Sequence, residues 1–467
     1  MSFTQPVFAW FLLITLSIFY AVRSASRRRM VLLLSSCLFY GWFDMRFLAL
    51  FFFTAGIDFY CGQLIYLSKT QARRKLYLLV SLVSNFGVLG FFKYYGFFRE
   101  NAVRMLELLG VESQIPLLAI ILPIGLSFYT FQSLSYTIDI YFGKRTPVKS
   151  ALDFFTFVAF FPQLVAGPIV RSDEFLPQME DLERKRVNPN GIFLIFYGLF
   201  KKIVLADSLA RLAVEPVFGN PVANAGFSAW LGMYAYAFQI FLDFSAYSDI
   251  AIGAGQLFGF QLPENFRSPY HAEDPQEFWR RWHISFSRWI RDYLYIPLGG
   301  NRGSHVVQVR NLVVTMFLAG LWHGAAWTFV WWGLLHGAYL VLYRWPLWQS
   351  LMNRIGRPGR LIVWFHLVCF GWILFRAGSF ETAISFCIAL FTPATTYSSF
   401  PTFEVCTLLA LSWIVHSVCE SRRDLLSTGF VHLPAPLRGG IVYLLALVFF
   451  FVSEWNIGYQ AFIYFQF

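Results

Sequence analysis

From Asn311 to Tyr343 the chain carries no Asp, Glu, Lys or Arg over 33 residues. One membrane crossing needs about 20 residues, so the run reads as one long tilted helix or as two helices tightly joined. His323, in the triplet Trp322-His323-Gly324, and His336 both lie inside it. Hydrocarbon does not solvate an imidazole. Such a residue faces a bundle interior or a water-filled cavity and is a functional candidate by default. In a continuous helix, about 100° and 1.5 Å per residue would put the two histidines on different faces, roughly 20 Å apart.

The rest of the composition agrees. The 467 residues are 57% hydrophobic and 13% charged, against about 25% charged in soluble domains, with a mean hydropathy of +0.55. This describes an all-α polytopic membrane protein. Aromatics make up 20% of the chain, which suits interface belts and cavity walls. The net charge of +11 is spread as short Lys/Arg clusters between apolar runs. That pattern sets topology, and it makes membrane lipid the expected partner and nucleic acid not one. The first apolar run, Val7 to Val22, has no basic residue before it and Arg23 and Arg27 to Arg29 after it. The expectation is an outside N-terminus, a cytoplasmic first loop and no cleavable signal. The six cysteines form no C-x-x-C pair, and neither G-x-S-x-G nor H-E-x-x-H occurs. Neither a metal site nor a cysteine or serine nucleophile is predicted.

Candidate spans cover 7–22, 30–43, 47–67, 76–98, 115–142, 151–170, 191–214, 226–260, 311–343, 361–375, 380–393, 402–418 and 438–467. The stretch from Asp153 to Val170 has basic clusters on both sides and is interrupted by Pro162, Gly167 and Pro168, which predicts a re-entrant loop buried in protein. No repeat or long linker divides the chain, so a single integral domain, 1–467, is expected.

Two further passages carry polar groups that burial does not explain. Asp243 and Asp249 sit in LDFSAYSDIAIG, residues 242–253. Each would cost about 2.5 to 3.5 kcal/mol at mid-membrane, so each either pairs with a buried Arg or Tyr or lines a substrate path. Pro263 to Ser304 reads as an amphipathic interfacial helix after three prolines. Taking Phe278 as zero on a helical wheel, an aromatic face falls within roughly 0 to 120° and a basic face at roughly 200 to 300°. His283 lands between them at about 140°. A residue so placed is ordinarily a surface hydrogen-bonding group. The following turn, Pro297 to Gly303, lacks the P-loop spacing and is a weak phosphate signal.

The blocks FWRRWHISFSRWIRDYLYIPLGGNRGS (278–304), LWHGAAWTFVWWGLLHG (321–337), LDFSAYSDIAIG (242–253), PENFRSPY (263–270) and ILPIGLSFYTFQSLSYTIDIY (121–141) resemble the membrane-bound O-acyltransferase (MBOAT) family. Within it the chain is most similar to membrane subunits that acetylate bacterial exopolysaccharides, alginate or cellulose, and more distantly to the teichoic-acid D-alanylation subunit. The resemblance implies about eleven transmembrane helices with re-entrant and interfacial helices around a central tunnel. It places catalytic roles on His323, of the W-H-G motif, and on His283, of W-R-R-W-H-I-S. Trp322, Trp279, Trp282, Asp249, Asp243, Asn265, Tyr270 and His336 are implied as tunnel or substrate-binding residues. His323 would serve as general base, a role worth about 10² to 10⁴ in rate. His283 would orient the acyl group or polarise its carbonyl, and the tryptophans would exclude water.

The implied donor is acetyl-CoA or another acetyl thioester, with no bound cofactor. The implied partners are periplasm-facing acetyltransferase or polysaccharide-modification subunits and the exopolysaccharide itself, at the bacterial inner membrane. Gln163 stands where alginate-type relatives tend to have histidine, and Ala246 where they tend to have glycine. The competing reading is a proton-coupled transporter or export-channel subunit built on Asp243, Asp249 and the midplane histidines. A scaffold without activity is a third.

Overall fold

The computed structural model describes residues 1–112, 115–393, 400–455 and 462–463. Every regular element among them is helical. The chain packs as two compact units, one formed by Met1–Asn188 with Ala254–Pro263 and the other by Pro189–Gly253 with Glu264–Phe467.

The first unit begins with α1 (Pro6–Ala21), α2 (Ala25–Gly41), α3 (Arg46–Leu67), α4 (Gln71–Leu89), α5 (Tyr95–Leu108) and α6 (Leu126–Tyr141). A buried carboxylate organises α3, α4 and α6. Asp58 accepts from Ser81 Oγ at 2.6 Å, from Asn85 Nδ2 at 2.8 Å and from the Ser133 hydroxyl. Such a group in an apolar bundle is tolerable only when its lone pairs are filled. Next come α7 (Ala151–Ala159) and a single helical turn, Phe161–Leu164, with Pro162 in its first turn. Neither approaches the length of about 20 residues that a crossing needs. Residues 156–170 are nevertheless buried throughout, as a segment that dips into protein must be. Gln163 lies there, buried, and its Nε2 donates to Phe157 O at 2.7 Å.

The second unit holds the polar motifs. It contains α8 (Asn190–Leu199), α9 (Phe227–Leu257, as far as Gly253), α10 (Pro275–Arg281), α11 (Ile284–Ile290), α12 (His305–His323) and α13 (Trp327–Leu342). After these come α14 (Gly356–Arg376), α15 (Phe380–Phe391), α16 (Thr402–Ile414), α17 (Arg423–His432) and α18 (Ala435–Trp455). Among the described residues, six helical stretches are long and apolar enough to cross a membrane, and α1, α13 and α15 are shorter apolar helices. The last expected span, 438–467, is described as far as residue 455, and residues 456–461 and 464–467 lie outside the described part.

The uncharged run is two helices. The chain breaks after His323 and resumes at Trp327, and the two helices pack at van der Waals distance through paired glycines. A Cβ on Gly320 would sit 2.3 Å from Phe329 O and 3.0 Å from Gly333 Cα, and one on Gly333 would sit 2.3 Å from Met316 O. No side chain fits there. The wide separation that a continuous helix would impose therefore does not apply, because His323 and His336 lie against the same indole, Trp332, at ring-centre distances of 5.1 and 4.8 Å.

The amphipathic helix expected across 278–293 is also interrupted. α10 stops at Arg281, Trp282 is extended, and His283 takes a left-handed conformation (φ 42°, ψ 55°) before α11 begins. A regular wheel does not apply across that break.

The glycine contact is testable by overpacking. Gly320→Val should force α12 and α13 apart at a cost of about 1–3 kcal/mol and lower the melting temperature in detergent. An unchanged melting temperature would contradict the close approach.

A buried histidine pair as candidate active site

His323 ends α12 with only 5% of its surface exposed. Its ring packs on Trp322 (5.0 Å between centres), Trp332 (5.1 Å), Phe286 (5.3 Å) and Phe375 (5.3 Å). His283 is fully buried, with its ring centre 6.5 Å from that of His323. Phe286 serves both, stacked on His283 at 4.9 Å. Phe244 of α9 meets His283 edge-on at 4.6 Å. Two histidines from separate motifs thus share one aromatic enclosure. Burial pushes His283 well below the usual imidazole range, so the ring is neutral near pH 7.

A non-glycine residue in the left-handed region is costly, and such strain gathers at functional sites. At His283 it is held by Asn265. The Asn265 backbone carbonyl accepts from Ile284 N at 2.9 Å, and its side-chain Oδ1 accepts from Ser285 N at 3.3 Å and from Ser285 Oγ at 2.9 Å. These N–H groups are orphans at the start of α11, so a residue from outside the helix caps it. His283 Nδ1 lies 3.1 Å from the same Oδ1. Asn265 Nδ2 donates to Ser248 Oγ of α9 at 3.1 Å.

The other predicted site residues divide into two groups. Trp322, Trp279 and Trp282 belong to the enclosure or its wall. Trp322 packs on Phe286 at 4.5 Å, Trp279 on His336 at 5.2 Å and Trp332 at 5.8 Å, and Trp282 on Trp372 at 4.8 Å. His336 is fully buried behind Trp332, and neither of its nitrogens has a hydrogen-bond partner among the described residues.

The second group is fixed by ion pairs and hydrogen bonds. Asp249 is paired with Lys201 at 2.5 Å and Arg423 at 3.0 Å, and Asp243 with Lys202 at 2.6 Å. Lys201 also meets Glu420 at 2.7 Å, and Lys202 meets Asp207 at 2.8 Å. Consecutive lysines on a π-helical turn, Phe200–Ala206, thus reach two separate carboxylate clusters. Tyr270 donates its hydroxyl to Ala237 O and its backbone N–H to His416 Nε2 at 3.0 Å. Lys201, Lys202, Glu420, Arg423 and His416 are functional neighbours that no motif in the sequence marks. Two adjacent lysines inside the apolar span 191–214 were the available signal. Phe286, Trp332 and Phe375 were likewise missed, because nothing distinguishes them from the many aromatics that face lipid.

A cavity of about 370 Å³ is lined by Arg280, Arg288, Arg291 and Arg344 together with Trp279 and Ser287. None of its lining residues, among those described, is acidic. Arg291 is paired with Asp292 at 2.7 Å, and Arg344 donates to Asn301 at 2.7 Å.

Comparison with known proteins shows the family. The profile of the membrane-bound O-acyltransferase family matches residues 141–345, which include both members of the histidine pair. The chain is 41% identical over 398 residues to the probable alginate O-acetylase of Azotobacter vinelandii, covering 84% of this chain and 78% of that protein. The chain belongs to the membrane-bound O-acyltransferase family. It is 36% identical over 384 residues to the peptidoglycan O-acetyltransferase of Helicobacter pylori, with 76% of this chain and 72% of the relative covered. It is also 29% identical over 237 residues to the teichoic acid D-alanyltransferase of Streptococcus thermophilus, with 47% and 56% covered. As an MBOAT protein it is a multi-pass membrane acyltransferase, all-helical as that family membership implied. Membership also weighs against a transporter, and the carboxylates on which that reading rested have cationic partners.

Proposed function

We propose that this MBOAT enzyme transfers acetyl groups from a cytosolic thioester, acetyl-CoA or a related acetyl thioester, toward hydroxyls of an exported polysaccharide at the bacterial inner membrane. The observation that carries the reading is the pairing of His283 and His323 inside one buried aromatic enclosure. In this scheme His323 removes the proton of the incoming hydroxyl while its oxygen bonds to the acyl carbon. The carbon–sulfur bond breaks, and the proton returns from the imidazolium to the departing thiolate. The aromatic walls limit hydrolysis of the thioester. The relative at 41% identity is named for alginate, which makes an alginate-type exopolysaccharide the first acceptor to test. A periplasm-facing modification subunit is the expected partner for final delivery.

The arginine-lined cavity supports a donor that carries phosphate. Guanidinium groups match phosphate oxygens in charge and geometry, and Trp279 forms both the cavity wall and a neighbour of the ring cluster. The phosphates would rest there while the thioester arm reaches the histidines.

Purified protein in vesicles, given radiolabelled acetyl-CoA and acceptor, tests both points. His323→Ala should reduce acetyl transfer by about 10² to 10⁴ while the protein remains folded and inserted, and wild-type transfer by this variant would refute the assignment. Arg280→Glu combined with Arg288→Glu should raise the KM for acetyl-CoA at least tenfold. The same variant should leave use of a short acetyl thioester lacking phosphate unaltered. An equal loss with both donors would remove the phosphate role.

A further inference from the structure

The Asn265 amide stands where three separated motifs meet. It touches Ser248 of LDFSAYSDIAIG, lies within PENFRSPY, and receives Ser285 and His283 of the W-R-R-W-H-I-S segment. Its orientation is determined by chemistry. A backbone N–H only donates, so the atom facing Ser285 N is the carbonyl oxygen. The same oxygen faces His283 Nδ1 at 3.1 Å, so that nitrogen must bring the hydrogen. An imidazole with its one proton on Nδ1 keeps its lone pair on Nε2.

We infer that Asn265 is a positioning residue that locks His283 in the Nδ1–H tautomer, so that His283 meets substrate through Nε2 as a hydrogen-bond acceptor and not as the donor polarising the thioester carbonyl. The inference rests on the reading of the histidine pair as the acyl-transfer centre. It deepens that reading, because the group that His283 holds must be protic: a hydroxyl of the acceptor, or an amide N–H of the thioester arm. It also narrows the roles implied by resemblance, since a neutral ring in this tautomer has nothing to offer a carbonyl oxygen. The surroundings favour the neutral ring. α9 presents Phe244 and Ser248, α11 presents Phe286 and Ser285, and α12 presents His323 as the facing titratable group.

The tautomer is measurable without activity. The full chain, labelled with ¹³C,¹⁵N-histidine and placed in liposomes, should show by solid-state NMR a signal with protonated Nδ1 and bare Nε2. That signal should disappear in His283→Gln and split into two tautomers in Asn265→Leu. A His283 signal with the proton on Nε2 overturns the inference. A chain with the expected tautomer but no acyl transfer would defeat the functional reading and leave the lock standing.

The acceptor role is tested by the pH profile of transfer. Asn265→Asp keeps the acceptor oxygen but adds a negative charge, which raises the ring's pKa by favouring its charged form. If neutral His283 is the working form, the acid limb of the profile moves to higher pH, while Asn265→Leu loses at least tenfold in kcat at every pH. An unmoved profile in Asn265→Asp marks Asn265 as merely structural. A shift confined to the alkaline limb marks His283 as a donor. Either result overturns the proposal.

Discussion

One side-chain amide holds open the break in the chain at which His283 is presented. Without Asn265 the segment from Phe278 to Tyr293 has the periodicity of a single helix, and a regular helix would leave His283 at the edge of its aromatic face. Instead the backbone turns left-handed at His283, at a cost of about 1–3 kcal/mol. Asn265 offsets this with its backbone carbonyl, its side-chain carbonyl and a tie to Ser248. The ring is thereby directed inward, onto Phe244 and Phe286 and toward His323.

A second break, after His323, has the complementary effect. An apolar run long enough for one tilted helix folds back at Gly324, and Gly320 against Gly333 lets the two helices touch. The hairpin brings Trp332 alongside both His323 and His336. Neither break places a charge in the enclosure. The charges are elsewhere, where Lys201 and Lys202 divide four carboxylates between them. Buried pairs of this kind contribute little net stability, yet removing one partner leaves an uncompensated charge and is strongly destabilising. Their place on α9 and the π-helical turn suits them to holding the helix that supplies Phe244 and Ser248.

The sequence made much of this legible. Low charge, apolar runs and clustered basic residues specify a polytopic helical membrane protein, and a histidine inside an uncharged run is conspicuous on solvation grounds alone. Asp243 and Asp249 were visible for the same reason. Their partners were not, because ion pairing across more than 150 residues, as between Asp249 and Arg423, leaves no local pattern. The left-handed residue was hidden as well. His283 is not glycine, and the group that stabilises its conformation lies outside the helix whose periodicity was being read. The division between wall aromatics and lipid-facing aromatics was equally out of reach, since both are apolar rings at helical spacing.

The central claim is that His283 and His323 act as one unit in acyl transfer. Residues that share a step are non-additive, and once one is lost the other has little left to contribute. The most direct measurement is therefore a double-mutant cycle on kcat for acetyl transfer in vesicles, using His283→Gln, His323→Gln and the combined variant at matched amounts of folded protein. The account predicts that the double variant is no slower than the slower single one, within about threefold. Losses that multiply fully, or a His283→Gln variant with the wild-type rate, would contradict it.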